Sequence, residues 1–83
     1  MSDTKPRPLS QIARDIGNDW GAKMSPYARP YWLAMLELQT INDKYHWDNA
    51  HDVVLRFLCN ANAWRGPIAR AVKLELKQIA NIK

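Results

Sequence analysis

The side chains best suited to chemistry lie near the middle of the chain, where two histidines and two aspartates fall close together. They are His46, Asp48, His51 and Asp52. Imidazole and carboxylate groups are common zinc ligands, and two ligands on one helix need a spacing of i, i+3 or i, i+4, which Asp48 and His51 satisfy. Two ligands near a helix start are a weak signal, and Asp48 in that position is more typical of a helix cap. We therefore predict no metal site.

Cys59 is the single cysteine of the chain, and a nucleophilic role would require a base beside it. His51 lies in the same predicted helix, but the intervening residues correspond to a rise of about 12 Å, which is too far for a hydrogen bond. Because Cys59 follows Phe57 and Leu58, we expect it to be a small buried side chain. No glycine-rich phosphate loop or Gly-x-Ser-x-Gly motif is present. We predict a protein that is not an enzyme and has no cofactor.

The positive charge is concentrated at one end of the sequence. The 83 residues include 12 basic and 8 acidic side chains, a net charge of +4. Basic and acidic residues balance over residues 1–64, so the whole excess lies in residues 65–83, where Glu75 is the only acid. A basic segment indicates an anionic partner, either nucleic acid or an acidic protein surface. The alternative is that these cations only favour the helix dipole and solubility.

Aromatic residues are the second unusual feature, since a chain of this length carries four tryptophans. Trp20, Tyr31 and Phe57 fit the predicted apolar stripes. Trp32, Trp47 and Trp64 adjoin basic residues and are candidates for interface anchors or base stacking; the alternative is that all four tryptophans pack inside the protein. The residues that we predict to form the partner-binding surface are Tyr45, Trp47, Arg65, Arg70, Lys73 and Lys77.

The elements that must position these residues are predicted to be four helices in a small all-α bundle. Apolar residues recur at helical spacing, and neither period-two alternation nor a hairpin dipeptide indicates strands. We expect residues 1–7 to be a flexible tail, residues 8–83 to be one helical domain, and residues 42–47 to be a loop. The predicted helices run from Pro8 to Lys23, from Pro30 to Ile41, from a cap at Asp48 or Asn49 to about 60–62, and from Pro67 to about Ala80.

The last helix carries two patterns. Ile68, Val72, Leu76 and Ile79 form its predicted apolar stripe, and Arg70, Lys73 and Lys77 form a basic one. A helix-turn-helix arrangement of the last two helices is possible, but the first turn of the final helix offers few groups for reading base edges. Its cations are better suited to phosphates than to sequence.

No apolar run approaches the ~18 residues of a membrane span, and the first residues lack the apolar core of a signal peptide. We therefore expect a cytoplasmic protein that does not enter the membrane. The apolar second helix leaves open an oligomer interface, although we expect a monomer.

Three segments of the chain have a distinctive residue order. They are Pro30–Met35, Val53–Ala61 and Trp64–Lys77, and the most distinctive part is the Asn-Ala-x-x-Trp-Arg-Gly-x-x-Ala-Arg run from Asn60 to Arg70. These segments resemble a group of short helical proteins encoded by bacteriophages, plasmids and other mobile elements, and the resemblance extends over about residues 9–80.

This resemblance implies a context, because small proteins of mobile elements are often inhibitors of host defence, including anti-CRISPR proteins. It implies a protein that binds a host defence complex in the bacterial cytoplasm and blocks it. A small basic nucleic-acid-binding accessory protein or regulator is the alternative function.

Overall fold

Four α-helices dominate the fold, as the sequence predicts. The structure is a computed structural model that describes residues 7–45 and 48–81. The elements are α1 (Leu9–Asp19), a 3-10 turn (Gly21–Lys23), α2 (Arg29–Met35), β1 (Lys44–Tyr45), β2 (Asp48–Asn49), α3 (Ala50–Cys59) and α4 (Pro67–Ile79). Of the predicted tail, only Arg7 belongs to the described part, and its guanidinium is bonded to Asp15 and Glu75.

The apolar stripes of the helices meet in one core. Leu9, Ile12, Ile16 and Trp20 are all buried, so the helical spacing predicted the inner side of α1. The remaining large members of the core come from the following helices and the loops between them. They are Met24, Met35, Leu38, Val53, Val54, Phe57, Trp64, Val72 and Leu76.

The second helix is shorter than the predicted range from Pro30 to Ile41. It runs from Arg29 to Met35. In a continuing helix, the N–H groups of Gln39 and Thr40 would bond to carbonyls four residues back. They instead donate to Oδ2 of Asp43, at 2.9 and 3.1 Å, and these bonds are the main cause of a lowered pKa for Asp43.

The segment after α2 also completes the start of α1, which has no side-chain cap. The N–H of Leu9 donates to the carbonyl of Gln39 at 2.9 Å, and the N–H of Ser10 donates to that of Leu38 at 2.8 Å. The early end of α2 therefore supplies acceptors for two amides that a helix terminus otherwise leaves without partners.

The predicted loop over residues 42–47 contains β1, which pairs with the strand β2 directly after the loop. Lys44–Tyr45 pairs antiparallel with Asp48–Asn49, and the backbone N–H of Ala50 donates to the carbonyl of Asp43 at 2.8 Å. The prediction of no strand was wrong at this point, because two residues per strand are too few to show alternation. The predicted cap of the third helix is confirmed at Asn49, whose side chain accepts the N–H of Asp52 at 2.9 Å.

Two single-residue predictions were wrong. Cys59 is exposed, because it lies two residues, or about 200°, around α3 from the buried Phe57. Ile68, which was predicted to belong to the apolar stripe of the last helix, is 50% exposed. The inner row of α4 begins at Ala69 and continues through Val72 and Leu76, so Ile68 lies at the edge of that row.

Candidate basic interface

Trp64 forms the floor of the region in which the predicted basic residues meet. It is only 2% exposed, its ring is stacked on Trp20 at 5.7 Å between centroids, and Phe57 meets it edge-on at 6.4 Å. Its Nε1–H donates to Oδ2 of Asp19 at 2.8 Å. Trp64 is therefore a packed core residue, which is the alternative that the sequence left open, and its ring is not available for base stacking.

Lys73 is held against this tryptophan. Its Nζ donates to the backbone carbonyl of Trp64 at 2.6 Å and lies 6.0 Å from the centroid of the indole ring. Burial is the main cause of a lowered pKa for Lys73, and the charges of Arg65 and Lys77 lower it further. The ammonium group is thus fixed in a place where two like charges act on it.

A groove of about 290 Å³ lies in front of Lys73. Three of its six lining residues are cations and none is an acid. Lys77 lies one helical turn beyond Lys73 and is exposed. The lining residues are Trp64, Arg65, Gly66, Ala69, Arg70 and Lys73.

We call Arg65, Arg70, Lys73 and Lys77 the basic face. These are four of the predicted site residues. Arg65 lies two residues before the start of α4 and lines the groove together with Arg70 and Lys73, and Lys77 follows on the same side of the helix. Among residues 7–45 and 48–81, no carboxylate makes an ion pair with any of the four. The basic face therefore has four uncompensated charges within the described part of the chain.

Glu75, the only acid of the final segment, does not balance them. Its two carboxylate oxygens accept from Nε and Nη2 of Arg7 at 3.0 and 2.7 Å, and Arg7 also bonds Asp15. Glu75 is two residues from both Lys73 and Lys77, so it lies on nearly the opposite side of the helix. The pKa of Arg7 is raised, chiefly by Glu75 and then by Asp15.

The side chains of the two predicted aromatic anchors are not among those that the structure describes. The backbone of Tyr45 lies in β1, opposite Asp48, while its side chain and the whole of Trp47 lie outside the described residues. Both remain predictions.

One exposed apolar residue escaped the sequence analysis. Leu74 is 57% exposed and lies four residues after Arg70 and three before Lys77, so it is a surface neighbour of both. It is the only large apolar side chain of α4 besides Ile68 that the structure leaves exposed. Leucine is so commonly buried that its type alone gave no signal of this.

The described members of the histidine and aspartate group do not form a metal site. His46 lies outside the described residues, and the Nδ1 of His51 is 3.8 Å from Oδ1 of Asp52. Within the described ranges, no three potential metal ligands come together. Across those ranges, too, no helix has the length and apolar character that crossing a membrane requires.

The fold and this surface define a small all-α domain with a basic face. Comparison with family models, with curated proteins and with solved structures finds no match for the chain. The resemblance to proteins of mobile elements therefore stays a prediction.

Proposed function

We propose that this chain is a non-enzymatic binding protein that contacts the phosphate backbone of nucleic acid through its basic face. The observation that supports this most is that three cations lie along one side of α4 and Arg65 joins two of them at the groove. No described carboxylate is paired with any of the four. A polyanion lying along the helix relieves their mutual repulsion and releases its own counterions, which favours binding.

The same surface favours contact without sequence reading. The ring of Trp64 is buried, so it offers no platform for bases. Of the first residues of α4, Pro67, Ile68 and Ala69 have no side-chain donor or acceptor for a base edge. Phosphate contacts position a protein on nucleic acid but do not specify sequence.

The test measures the binding of fluorescent 20-base duplex and single-stranded oligonucleotides of unrelated sequences at a series of salt concentrations. If all four cations contact phosphates, log K against log salt has a slope of about −3 to −4 for duplex. Unrelated sequences bind with similar affinity. A flat salt response, or no binding at low salt, refutes the proposal.

A charge-matched control separates the basic face from net charge. One variant replaces the four cations of the basic face by glutamine, and the other replaces four exposed cations elsewhere. Those four are Arg14, Lys23, Arg29 and Lys44. We expect binding to be lost in the first variant and to be largely retained in the second, although both lose the same charge. Equal losses would mean that only the net charge of the protein matters.

Leu74 favours a second candidate function, which is binding to an acidic protein surface. An exposed leucine among cations is typical of a protein interface with an apolar centre and a polar rim. Together with the resemblance to proteins of mobile elements, this supports an anti-CRISPR-like inhibitor that blocks a host defence complex in the bacterial cytoplasm.

Affinity purification from nuclease-treated host lysate, followed by mass spectrometry, distinguishes the two candidates. Recovery of a defined defence complex that survives nuclease treatment, and that Leu74→Ser weakens, supports the inhibitor. Loss of all partners after nuclease treatment supports direct binding to nucleic acid.

A further inference from the structure

We infer that the groove lined by Arg65, Arg70 and Lys73 is a discrete site for one phosphate group. This inference rests on the proposed function and sharpens it. The basic face would then contain one phosphate contact of fixed geometry at the groove. Lys77 lies outside the groove and would contribute only through its charge.

The position of Lys73 is the first argument. Its Nζ uses one hydrogen on the Trp64 carbonyl at 2.6 Å, and an ammonium group has three. Two donors therefore remain on a group that is already fixed in the folded protein. Since a fixed side chain loses little rotamer entropy when a ligand arrives, Lys73 is better prepared for binding than a lysine in solvent.

The lining of the groove is the second argument. Arg65 and Arg70 enter the same groove as Lys73, and a guanidinium presents a planar fork of donors that matches a phosphate. The volume of about 290 Å³ is at the lower end of the range of ligand pockets. With the Trp64 ring buried, the groove offers cations for a phosphate but no exposed aromatic face for a base.

A second groove of the molecule shows the contrast. It lies between α1 and α4, has a volume of about 370 Å³ and includes Asp15 and Asp19 among its lining residues. Asp15 is already paired with Arg7, and Asp19 accepts the indole N–H of Trp64. Neither carboxylate favours an anion, so of these two grooves only the basic one suits a phosphate.

The experiment compares Lys73→Gln with Lys77→Gln, which remove the same charge from neighbouring turns of one helix. Inorganic phosphate is titrated against each protein and followed by amide chemical shifts in NMR. Oligonucleotides with and without a 5′-phosphate are followed by fluorescence polarisation. We expect Lys73→Gln to weaken phosphate binding by about tenfold, as loss of a charge-assisted hydrogen bond does. We expect less than about a twofold effect for Lys77→Gln, whose ammonium lies outside the groove.

A further variant keeps the test valid if loss of the Lys73–Trp64 bond disturbs the fold. Arg70→Gln removes a groove cation whose guanidinium makes no hydrogen bond to the described residues, and we expect it to weaken phosphate binding about as much as Lys73→Gln. Circular dichroism confirms the helical content of every variant.

The failures of the two proposals are distinguishable. If the lysine variants weaken phosphate and oligonucleotide binding equally, or if phosphate does not bind up to millimolar concentrations while oligonucleotides do, the discrete site is refuted and the proposed function stands. If no oligonucleotide binds at low salt, the proposed function fails. A preference of the wild type for the 5′-phosphorylated oligonucleotide, lost in Lys73→Gln, assigns the groove to a terminal phosphate. Equal binding of both oligonucleotides, weakened in Lys73→Gln, assigns it to the backbone.

Discussion

The two flanks of α4 differ in how their charges are paired. On one flank, the single cation Arg7 bonds the carboxylates of both Glu75 and Asp15, and we call these three residues the ion-paired flank. On the other, none of the described carboxylates is paired with the basic face, and the pKa of Lys73 is lowered, chiefly by burial. Arg7 reaches Glu75 from 68 residues earlier in the chain. The state of each flank therefore depends on which distant segment packs against it, and four variants test this comparison.

The largest expected effect is that of Trp64→Ala, which removes the floor of the basic face. Truncating a large aromatic side chain in a core costs about 3 to 5 kcal/mol, a large part of the total stability of a small domain. Urea unfolding followed by circular dichroism measures it. Trp64→Phe keeps an aromatic ring but loses the bond to Asp19, so we expect a smaller loss of about 1 kcal/mol. A loss of stability for Trp64→Ala that is smaller than the loss for Trp64→Phe would contradict the packed role of the ring.

Gly17→Ala tests the opposite side of α1, the helix that carries Asp15 of the ion-paired flank. A Cβ at Gly17 would lie 2.8 Å from Cζ2 of Trp32, whose Nε1–H is bonded to the carbonyl of Ala13 at 2.7 Å. Overpacking costs about 1 to 3 kcal/mol and exceeds the gain in helix propensity of about 1 kcal/mol. We therefore expect a net loss of stability in thermal unfolding.

Gly21→Ala is the matched control, because nothing lies within 4 Å of a Cβ at that position. We expect it to be neutral or slightly stabilising. A stabilised Gly17→Ala would show that Trp32 moves aside easily.

Arg7→Ala removes the only cation of the ion-paired flank. The ion pairs of Arg7 are about one third exposed, so solvent screens them, and we expect a loss of about 1 kcal/mol at low salt. The loss should shrink at high salt. Arg14→Ala, an exposed arginine of the same helix, should have almost no effect. Equal effects of the two variants would mean that the Arg7 pairs do not stabilise the fold.

The smallest expected effect is that of Lys77→Gln, in which two contributions offset each other. The variant removes a like charge four residues from Lys73, which favours folding by about 0.3 kcal/mol at low salt. It also removes a cation from the last turn of α4, where the helix dipole favours positive charge by a similar amount. We therefore expect a change in the free energy of unfolding of less than about 0.5 kcal/mol, measured by denaturation in urea, which adds no ions. A loss of more than about 1 kcal/mol would indicate that Lys77 has an attractive side-chain partner and that the basic face is not self-repelling.

Local patterns predicted most of the helices. The spacing of Leu9, Ile12 and Ile16 predicted the buried side of α1, and the cap at Asn49 and the proline at the start of α4 marked two helix starts correctly. These signals are carried by neighbouring residues, so a single sequence reveals them. The predicted end of α2 was wrong. That end depends on hydrogen bonds to the Asp43 side chain and on backbone carbonyls after α2 that accept from the first N–H groups of α1.

The sequence likewise predicted some features of the candidate site and not others. The sequence showed that cations dominate the last segment, and helical spacing placed Arg70, Lys73 and Lys77 on one stripe. It did not show that Lys73 bonds the Trp64 carbonyl, or that Glu75 is occupied by Arg7. It also left open whether Trp64 is an anchor or a core residue.

The amino-acid sequence by itself determined an all-α chain with its positive charge in the last segment, because helix periodicity and net charge depend only on residue type and order. The tertiary structure decided which charges are neutralised and which aromatic rings are buried. Both depend on contacts between residues far apart in the chain, and such contacts are fixed only when the helices pack around a common core.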